Sequence, residues 1–194
     1  MQPMRILVLL ATLSGLLLFP ATLPAQEGLA PVIVHLGDGS SLPLRPWSLS
    51  YEFSTWAQGS SPLFAEIRRA PANALWAGKK VYTLVGATLE IKTEMAERQR
   101  EVDGEVRQVR VPVVKGFVVV GAEGKRSEVK LEPPHRELLA PGLDKSANLL
   151  PRSFDLKGET LTGTKREFCL TSLTALVECQ VEAGQEVVKL EFPK

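Results

Sequence analysis

Apolar and polar residues alternate along much of this chain, and this period of two is the feature that most restricts its fold. In residues 47–54, the polar members of the alternation are three serines and a glutamate, and the apolar members are Trp47, Leu49, Tyr51 and Phe53. Successive side chains of a β-strand point to opposite faces, so this pattern predicts a strand with one buried face. The aliphatic residue within the aromatic row favours burial over an exposed platform for stacking a ligand.

Similar segments recur through the chain and are separated by turn sequences. Residues 81–91 alternate without interruption and predict one long strand, while GDGS at 37–40 and AEGK at 122–125 predict turns between hairpin arms. Residues 116–121 are apolar on both faces, which is typical of a central strand. The sequence therefore predicts a mainly β fold: an antiparallel β-sandwich or a partly open barrel built from hairpins, with at most one or two short helices.

Two segments have some helical character. Residues 61–70 begin with a Ser-Pro pair suited to an N-cap and first turn, so a helix of about two turns is one interpretation of this stretch. Residues 93–101 also have a helix-forming composition, but Asp103 and Gly104 favour a hairpin with a two-residue turn. Eleven of the 21 residues in 90–110 are charged. We therefore expect this hairpin to project into water.

The first 25 residues have the three parts of a secretory signal peptide. Arg5 gives a positively charged start, residues 6–19 are mainly apolar, and small residues precede a cleavage site after Ala25. The apolar stretch is shorter than the about 20 residues that a membrane-spanning helix needs, so we expect cleavage rather than a retained anchor. The sequence predicts a signal peptide at 1–25 and a single mainly β domain at 26–194. That domain is expected to be periplasmic or secreted, with no integral membrane segment after cleavage.

Cys169 and Cys179 are the only cysteines in the sequence, and we predict that they form a disulfide bond. A continuous helix would hold their Cα atoms roughly 15 Å apart, whereas a disulfide needs less than about 7 Å. The chain between them must therefore turn back, and we expect a hairpin centred near Thr174. A catalytic thiol and half of a metal site are the alternatives. The wide cysteine spacing and the two histidines of the chain disfavour zinc.

Composition and motifs disfavour several functional classes. After residue 25 the chain has 22 basic and 22 acidic residues, so it lacks the positive field of a nucleic-acid-binding protein. The sequence contains no nucleophile-elbow, metalloprotease or phosphate-loop motif, and we predict no catalytic residue, no metal site and no cofactor. His35 is interpreted as a surface or hydrogen-bonded residue. The His-x-Glu sequence at His135 lacks the cysteine pair of a zinc deaminase.

These observations favour a non-catalytic structural or interaction module that acts through its surface, with the charged hairpin 94–110 as the expected docking surface. The expected partner is a protein or a component of the cell envelope, and not a nucleic acid. One alternative is a β-barrel or sandwich that binds a small apolar or carbohydrate ligand, and a hydrolase is a third class. Trp56 and Trp76 are the candidate ligand-binding residues, because we expect both aromatic side chains to be partly exposed.

The signal sequence generates the first testable prediction. N-terminal sequencing of the exported protein should begin at or near Gln26, because Ala25 supplies the small residue directly before the cleavage site. Recovery of the full-length chain from the cytosol would contradict the prediction.

Overall fold

The computed structural model describes residues 30–56, 64–70, 74–102, 104–173, 179 and 181–194. The predicted signal peptide at 1–25 lies outside the described residues. Within the described ranges, the elements in chain order are β1 (Val32–Leu36), β2 (Ser41–Trp56), β3 (Phe64–Arg69), β4 (Ala74–Ala77), β5 (Lys80–Thr83), β6 (Thr88–Val102), β7 (Glu105–Val120), β8 (Arg126–Val129), α1 (Arg136–Leu139), β9 (Asn148–Thr160), β10 (Lys165–Ser172) and β11 (Val187–Glu191).

Nine of these strands form one antiparallel sheet, in the order β10-β9-β2-β1-β11-β6-β7-β8, with β3 also paired to β2. The remaining strands, β4 and β5, form a separate two-stranded hairpin. β2 is long enough to pair with β9 along one side and with both β1 and β3 along the other. The mainly β, antiparallel fold predicted from the alternation is therefore confirmed, with hairpins as its building units.

The aromatic row of β2 lies in the core, as predicted, and all four of its apolar side chains are buried: Trp47, Leu49, Tyr51 and Phe53. The neighbouring strand β9 places Phe154 opposite Tyr51 and Leu156 opposite Leu49, and both of these partners are also buried. The row therefore supplies core area and is not an exposed platform.

Ring contacts join distant strands across the core. The Tyr51 ring stacks on Phe154 with centroids 4.6 Å apart, and on Trp76 of β4 with centroids 5.2 Å apart. Phe154 in turn meets the edge of Phe117 of β7 at 6.2 Å. Because β9 and β7 lie in opposite halves of the sheet order, this contact shows that the sheet bends until its two halves face each other.

The hydroxyl of Tyr51 fixes the β4–β5 hairpin to the sheet. It donates a hydrogen bond to the carbonyl oxygen of Trp76 at 2.9 Å and accepts one from the backbone N–H of the same residue at 2.8 Å. Tyr51 and Trp76 are both buried. Without this hydroxyl, the N–H and the carbonyl of Trp76 would be desolvated backbone groups that lack a hydrogen-bond partner. Burial raises the pKa of Tyr51, so the hydroxyl keeps the proton that it donates.

The helix considered for residues 61–70 is wrong for the described part of that stretch. Residues 64–69 form β3, which pairs with residues 50–55 of β2. Pairing along a long neighbouring strand satisfies every second backbone group, and this tertiary context overrides a weak local preference for helix. The one helix within the described ranges, α1, has four residues. No helix in this part of the chain is long and apolar enough to cross a membrane.

The single long strand predicted for residues 81–91 is also wrong. β5 ends at Thr83 and β6 begins at Thr88, with a turn between them in which Gly86 has a φ of 62°. This turn shifts the alternation by one residue. Val81 and Val85 are about half exposed, at 54% and 49%, whereas Leu84 is buried. A non-glycine residue rarely adopts such a positive φ, so Gly86 was the available signal for the break.

The hairpin predicted at 94–110, in preference to a helix at 93–101, is confirmed. β6 and β7 pair from Thr88 opposite Val120 to Val102 opposite Glu105, so the loop between them has two residues. A bulge interrupts the ladder where Lys92 faces Gly116 and Thr93 faces Val114, which leaves Lys115 as the extra residue.

The Tyr51 contacts generate the second prediction. Tyr51→Phe should lower the free energy of unfolding by about 1–3 kcal/mol, because it leaves two buried backbone groups of Trp76 unpaired. Tyr51→Ala should cost about 3–5 kcal/mol, because it also removes the buried ring. Urea denaturation measures both values. Tyr82→Phe, at the other tyrosine of the chain, is the control and should have almost no effect, since Tyr82 is only half-buried. Equal losses for Tyr51→Phe and Tyr82→Phe would contradict this role of the hydroxyl.

Candidate functional site

A cleft lies where the two ends of the main sheet approach each other. β10 is the last strand at one end, and β7 pairs with β8 only over residues 117–120, so within the described chain each presents an unpaired edge. The cleft between these edges is lined mainly by residues 111–114 of β7, residues 169–172 of β10 and Val187 of β11. Its volume is about 90 Å³. Sites for drug-sized molecules usually have about 300–1,000 Å³, so this cleft accommodates only a small group.

The predicted disulfide forms part of the cleft wall. Cys169 and Cys179 are bonded, with Cα atoms 5.5 Å apart, and both line the cleft. β10 remains a strand through Ser172, so a continuous helix from Cys169 does not form. The turn predicted near Thr174 lies outside the described residues. The bond therefore ties the edge strand β10 to the segment that leads into β11.

A row of polar residues crosses the outer face of the sheet next to this disulfide. Ser50 of β2, Asp155 of β9 and Cys169 of β10 lie side by side in register. Ser50 and Asp155 are buried, and the hydroxyl of Ser153 donates a hydrogen bond to Asp155 Oδ2 at 2.7 Å. Ser50 Oγ has no hydrogen-bond partner within the described part of the chain. The outer face thus holds buried polar groups where the alternation alone predicts solvated ones.

Asp155 carries a buried carboxyl group that forms no ion pair within the described part of the chain. Burial raises the pKa of Asp155, and the hydrogen bond from Ser153 offsets only part of this effect. The two basic residues next to it in sequence pair with other acids: Lys157 Nζ lies 2.7 Å from Glu167, and Arg152 lies 3.5 Å from Glu52. A buried acid with a raised pKa is a candidate functional group. This carboxyl group was not predicted as a site from the sequence, because an aspartate in an alternating strand is ordinarily solvated.

The two tryptophans proposed as ligand contacts lie in different environments. Trp56, at the end of β2 opposite Asn148, is half-buried, so its predicted partial exposure is confirmed. Trp76 is only 7% exposed, and the expectation that it is a partly exposed aromatic residue is wrong because its ring stacks on Tyr51 in the core. A ligand-binding role for Trp56 stays a prediction.

The two histidines lie apart from Asp155 in the strand register. His35 of β1 shares a hydrogen bond of 2.9 Å with Ser41 Oγ, and its Nε2 lies 3.1 Å from Glu191, in agreement with a hydrogen-bonded position. His135 precedes α1 and lies 3.7 Å from Glu137. Among the residues that the structure describes, no three His, Cys, Asp or Glu side chains are grouped so that they could hold a metal ion.

Charged side chains on the outer face of β8, β6 and β11 form complementary pairs. Arg126 lies 2.6 Å from Glu90, and Lys92 lies 2.7 Å from Glu128. A third pair, Lys189 with Glu191, is also 2.7 Å apart. The hydrogen bond from Arg126 holds the pKa of Glu90 below its ordinary value, and the bond from Lys92 does the same for Glu128. The outer face of this half of the sheet is therefore charge-compensated.

Beyond Thr93 the β6–β7 hairpin pairs only with itself in the described chain. β6 contacts β11 only through residues 88–90, and β7 contacts β8 only through residues 117–120. Most side chains in 94–110 are exposed, and Val106 near the tip is 71% exposed. These observations confirm the predicted exposure of this hairpin to water.

Comparisons with known proteins give no match for this chain among family models, curated proteins or solved structures.

The buried carboxyl of Asp155 generates the third prediction. A carboxyl whose folded-state pKa is raised destabilises the protein when it is ionised, and this penalty disappears as the pH falls through the folded and then the unfolded pKa. Asp155→Asn should therefore be more stable than the natural protein at pH 7, and this advantage should shrink by about pH 4. Urea midpoints at the two pH values measure the effect.

Glu123→Gln, which neutralises an exposed acid in the turn between β7 and β8, is the matched control and should show no such gain at pH 7. A loss of stability for Asp155→Asn at pH 7 would show that the ionised carboxylate has a cationic partner in solution.

Proposed function

We propose that this protein is an exported, non-catalytic interaction module, periplasmic or secreted, that recognises a protein or cell-envelope partner through the hairpin 94–110. Support for export comes from the signal sequence and from the disulfide, because such bonds persist in oxidising compartments. The projecting hairpin is the observation that carries the interaction role.

The hairpin has no structural reason for its length within the described chain. Six residues of β6 beyond Ala96 extend the ribbon past the cleft by about 20 Å at about 3.3 Å per residue. An isolated two-stranded ribbon is at best marginally stable in water, so this extension adds little to the stability of the domain. Exposed segments on a rigid scaffold are where binding residues concentrate. A docking role accounts for a ribbon that folding alone does not require.

A second candidate function is the binding of a small apolar group in the cleft beside the disulfide. The apolar side chains of residues 111–114 and of Leu170 favour such a ligand. The small volume of the cleft limits the ligand to a group of a few atoms, such as one side chain of a partner. This candidate is therefore compatible with docking, because the cleft adjoins the root of the same hairpin.

The proposed function generates the fourth prediction. Residues 97–110 are replaced by a two-residue Asn-Gly turn, which joins the opposed residues Ala96 and Val111. The thermal midpoint should stay within a few degrees, because about 1 kcal/mol shifts a domain of this size by roughly 2–5 °C. Envelope proteins that crosslink to the intact protein should no longer be captured.

In the control variant, the exposed turn 161–164 between β9 and β10 is replaced by Asn-Gly. This variant should still capture the envelope proteins. Global unfolding of the shortened protein would show that the hairpin is a part of the core. Unchanged capture would remove the hairpin from the proposed function.

A further inference from the structure

An open cavity lies between the segment that leads into α1 and the segment that leads into β9. Residues 133–136 and 145–149 line it, together with Pro151, and we call it the loop cavity. Its volume is about 420 Å³, whereas the cleft beside the disulfide has about 90 Å³. Sites for small molecules usually have about 300–1,000 Å³, so the loop cavity is large enough for a whole ligand.

Hydrogen bonds hold the two segments in place. Arg136 donates from Nη1 to the carbonyl oxygen of Ala147 at 2.6 Å, and from Nη2 to the carbonyl oxygen of Asp144. The backbone N–H of His135 donates to the carbonyl oxygen of Gly78 at 2.6 Å, which ties the first segment to the turn of the β4–β5 hairpin. Both segments are therefore fixed relative to each other and to the rest of the fold.

The charged side chains that line the loop cavity within the described chain are all basic: His135, Arg136 and Lys145. Two acidic residues lie nearby, but neither lines the cavity. Glu137 is exposed and lies 3.7 Å from His135. Asp144 is also exposed and accepts a backbone hydrogen bond within its own turn at 2.9 Å. The lining therefore favours a ligand with negative charge.

The two side chains that carry a permanent charge have different roles in this lining. Arg136 donates to backbone carbonyl oxygens, which accept hydrogen bonds but do not neutralise its charge. Lys145 is exposed and forms no ion pair within the described part of the chain. An ammonium group binds an anion as a point charge, so Lys145 is available to the ligand while Arg136 adds a fixed positive charge.

We infer that the loop cavity binds an anionic sugar, a monosaccharide or disaccharide that carries a carboxylate or a phosphate group. The basic side chains recognise the anion, because charge-assisted hydrogen bonds are stronger than neutral ones. The other lining residues suit a sugar ring. Pro133, Pro134 and Pro151 offer apolar surface to its C–H groups, and the polar residues Ser146 and Asn148 can form hydrogen bonds with its hydroxyl groups.

The size and polarity of the loop cavity disfavour other anions. Inorganic phosphate would leave most of the about 420 Å³ unfilled. A fatty acid would need a deep apolar channel, whereas this cavity is open and mainly polar. No described residue of the hairpin 94–110 lines it, so the inference goes beyond the proposed docking role and does not depend on it.

The probes are digalacturonate, glucose-6-phosphate and, as the neutral sugar, lactose, each titrated into the intact mature protein by isothermal titration calorimetry. At least one anionic sugar should bind about ten-fold or more tightly than lactose, and the better of the two identifies the source of the charge. Lys145→Gln should weaken its binding by about five-fold, as expected for one partly exposed charge pair. Binding should also weaken with added salt.

Two matched variants test whether the charge of Lys145 is the cause. Lys145→Arg retains the charge and should keep the affinity within about two-fold of the natural value. Lys125→Gln removes an exposed lysine in the turn between β7 and β8, outside the cavity, and should change the affinity by less than about two-fold.

A further variant reverses the charge of the lining. Ser146→Glu places a carboxylate beside the ligand and should weaken binding by about ten-fold or more, because like charges repel. The side chain of Ser146 is exposed, and its backbone N–H can still donate to Asp144, so the thermal midpoint should stay unchanged.

Four outcomes would overturn the inference: equal affinity for lactose and the anionic sugars, unchanged affinity in Lys145→Gln, no binding of either anionic sugar at millimolar concentration, and binding of inorganic phosphate as tight as that of the sugars. The proposed function is tested separately. The variant that lacks residues 97–110 should bind the anionic sugar as the intact protein does, so loss of partner capture and loss of sugar binding are distinguishable results.

Discussion

The paired hydrogen bonds of the Tyr51 hydroxyl are the constraint on which the packing of the two sheets depends. They connect the longest core row of the main sheet to the backbone of β4, while the ring of Tyr51 fills the space between Trp76 and Phe154. Phe154 then contacts Phe117 on the facing half of the sheet. One side chain therefore links three separate parts of the fold. The stability lost with its hydroxyl and the stability lost with its ring are separate contributions, which Tyr51→Phe and Tyr51→Ala distinguish.

Alternation was sufficient to predict the core strand β2, because a buried face needs apolar side chains at every second position. The aromatic row of β2 was predicted in this way, the β6–β7 hairpin was predicted from its Asp-Gly turn, and the disulfide followed from the cysteine count. Alternation was insufficient where pairing partners decide. Residues 64–69 form a strand because β2 offers them an edge to pair with. The break at Gly86 depends on a positive φ, and the alternation of the surrounding residues gives no sign of this backbone conformation.

The candidate site was less predictable for two different reasons. Asp155 and Ser50 occupy positions that alternation assigns to solvent, and their burial depends on packing that a local pattern does not encode. The opposition of Arg100 and Arg107 is different, because the two-residue connection between Val102 and Glu105 determines which residues face each other on the two arms. Once the hairpin is recognised, simple counting along the arms places Arg100 opposite Arg107. The like-charge pair was therefore available in the sequence, as a consequence of the turn.

The bulge at Lys115 reconciles two registers that differ by one residue. In the core, Ile91 must face Phe117 so that both apolar side chains are buried, whereas at the tip the two-residue turn requires Val102 to face Glu105. A slip of one residue would move every side chain of one arm to the other side of the ribbon. Insertion of Lys115 absorbs this difference, and the ion pair of Lys115 with Glu94 at 3.4 Å lies beside it. The core and the tip thus keep separate registers, so the pairing at the tip does not disturb the core.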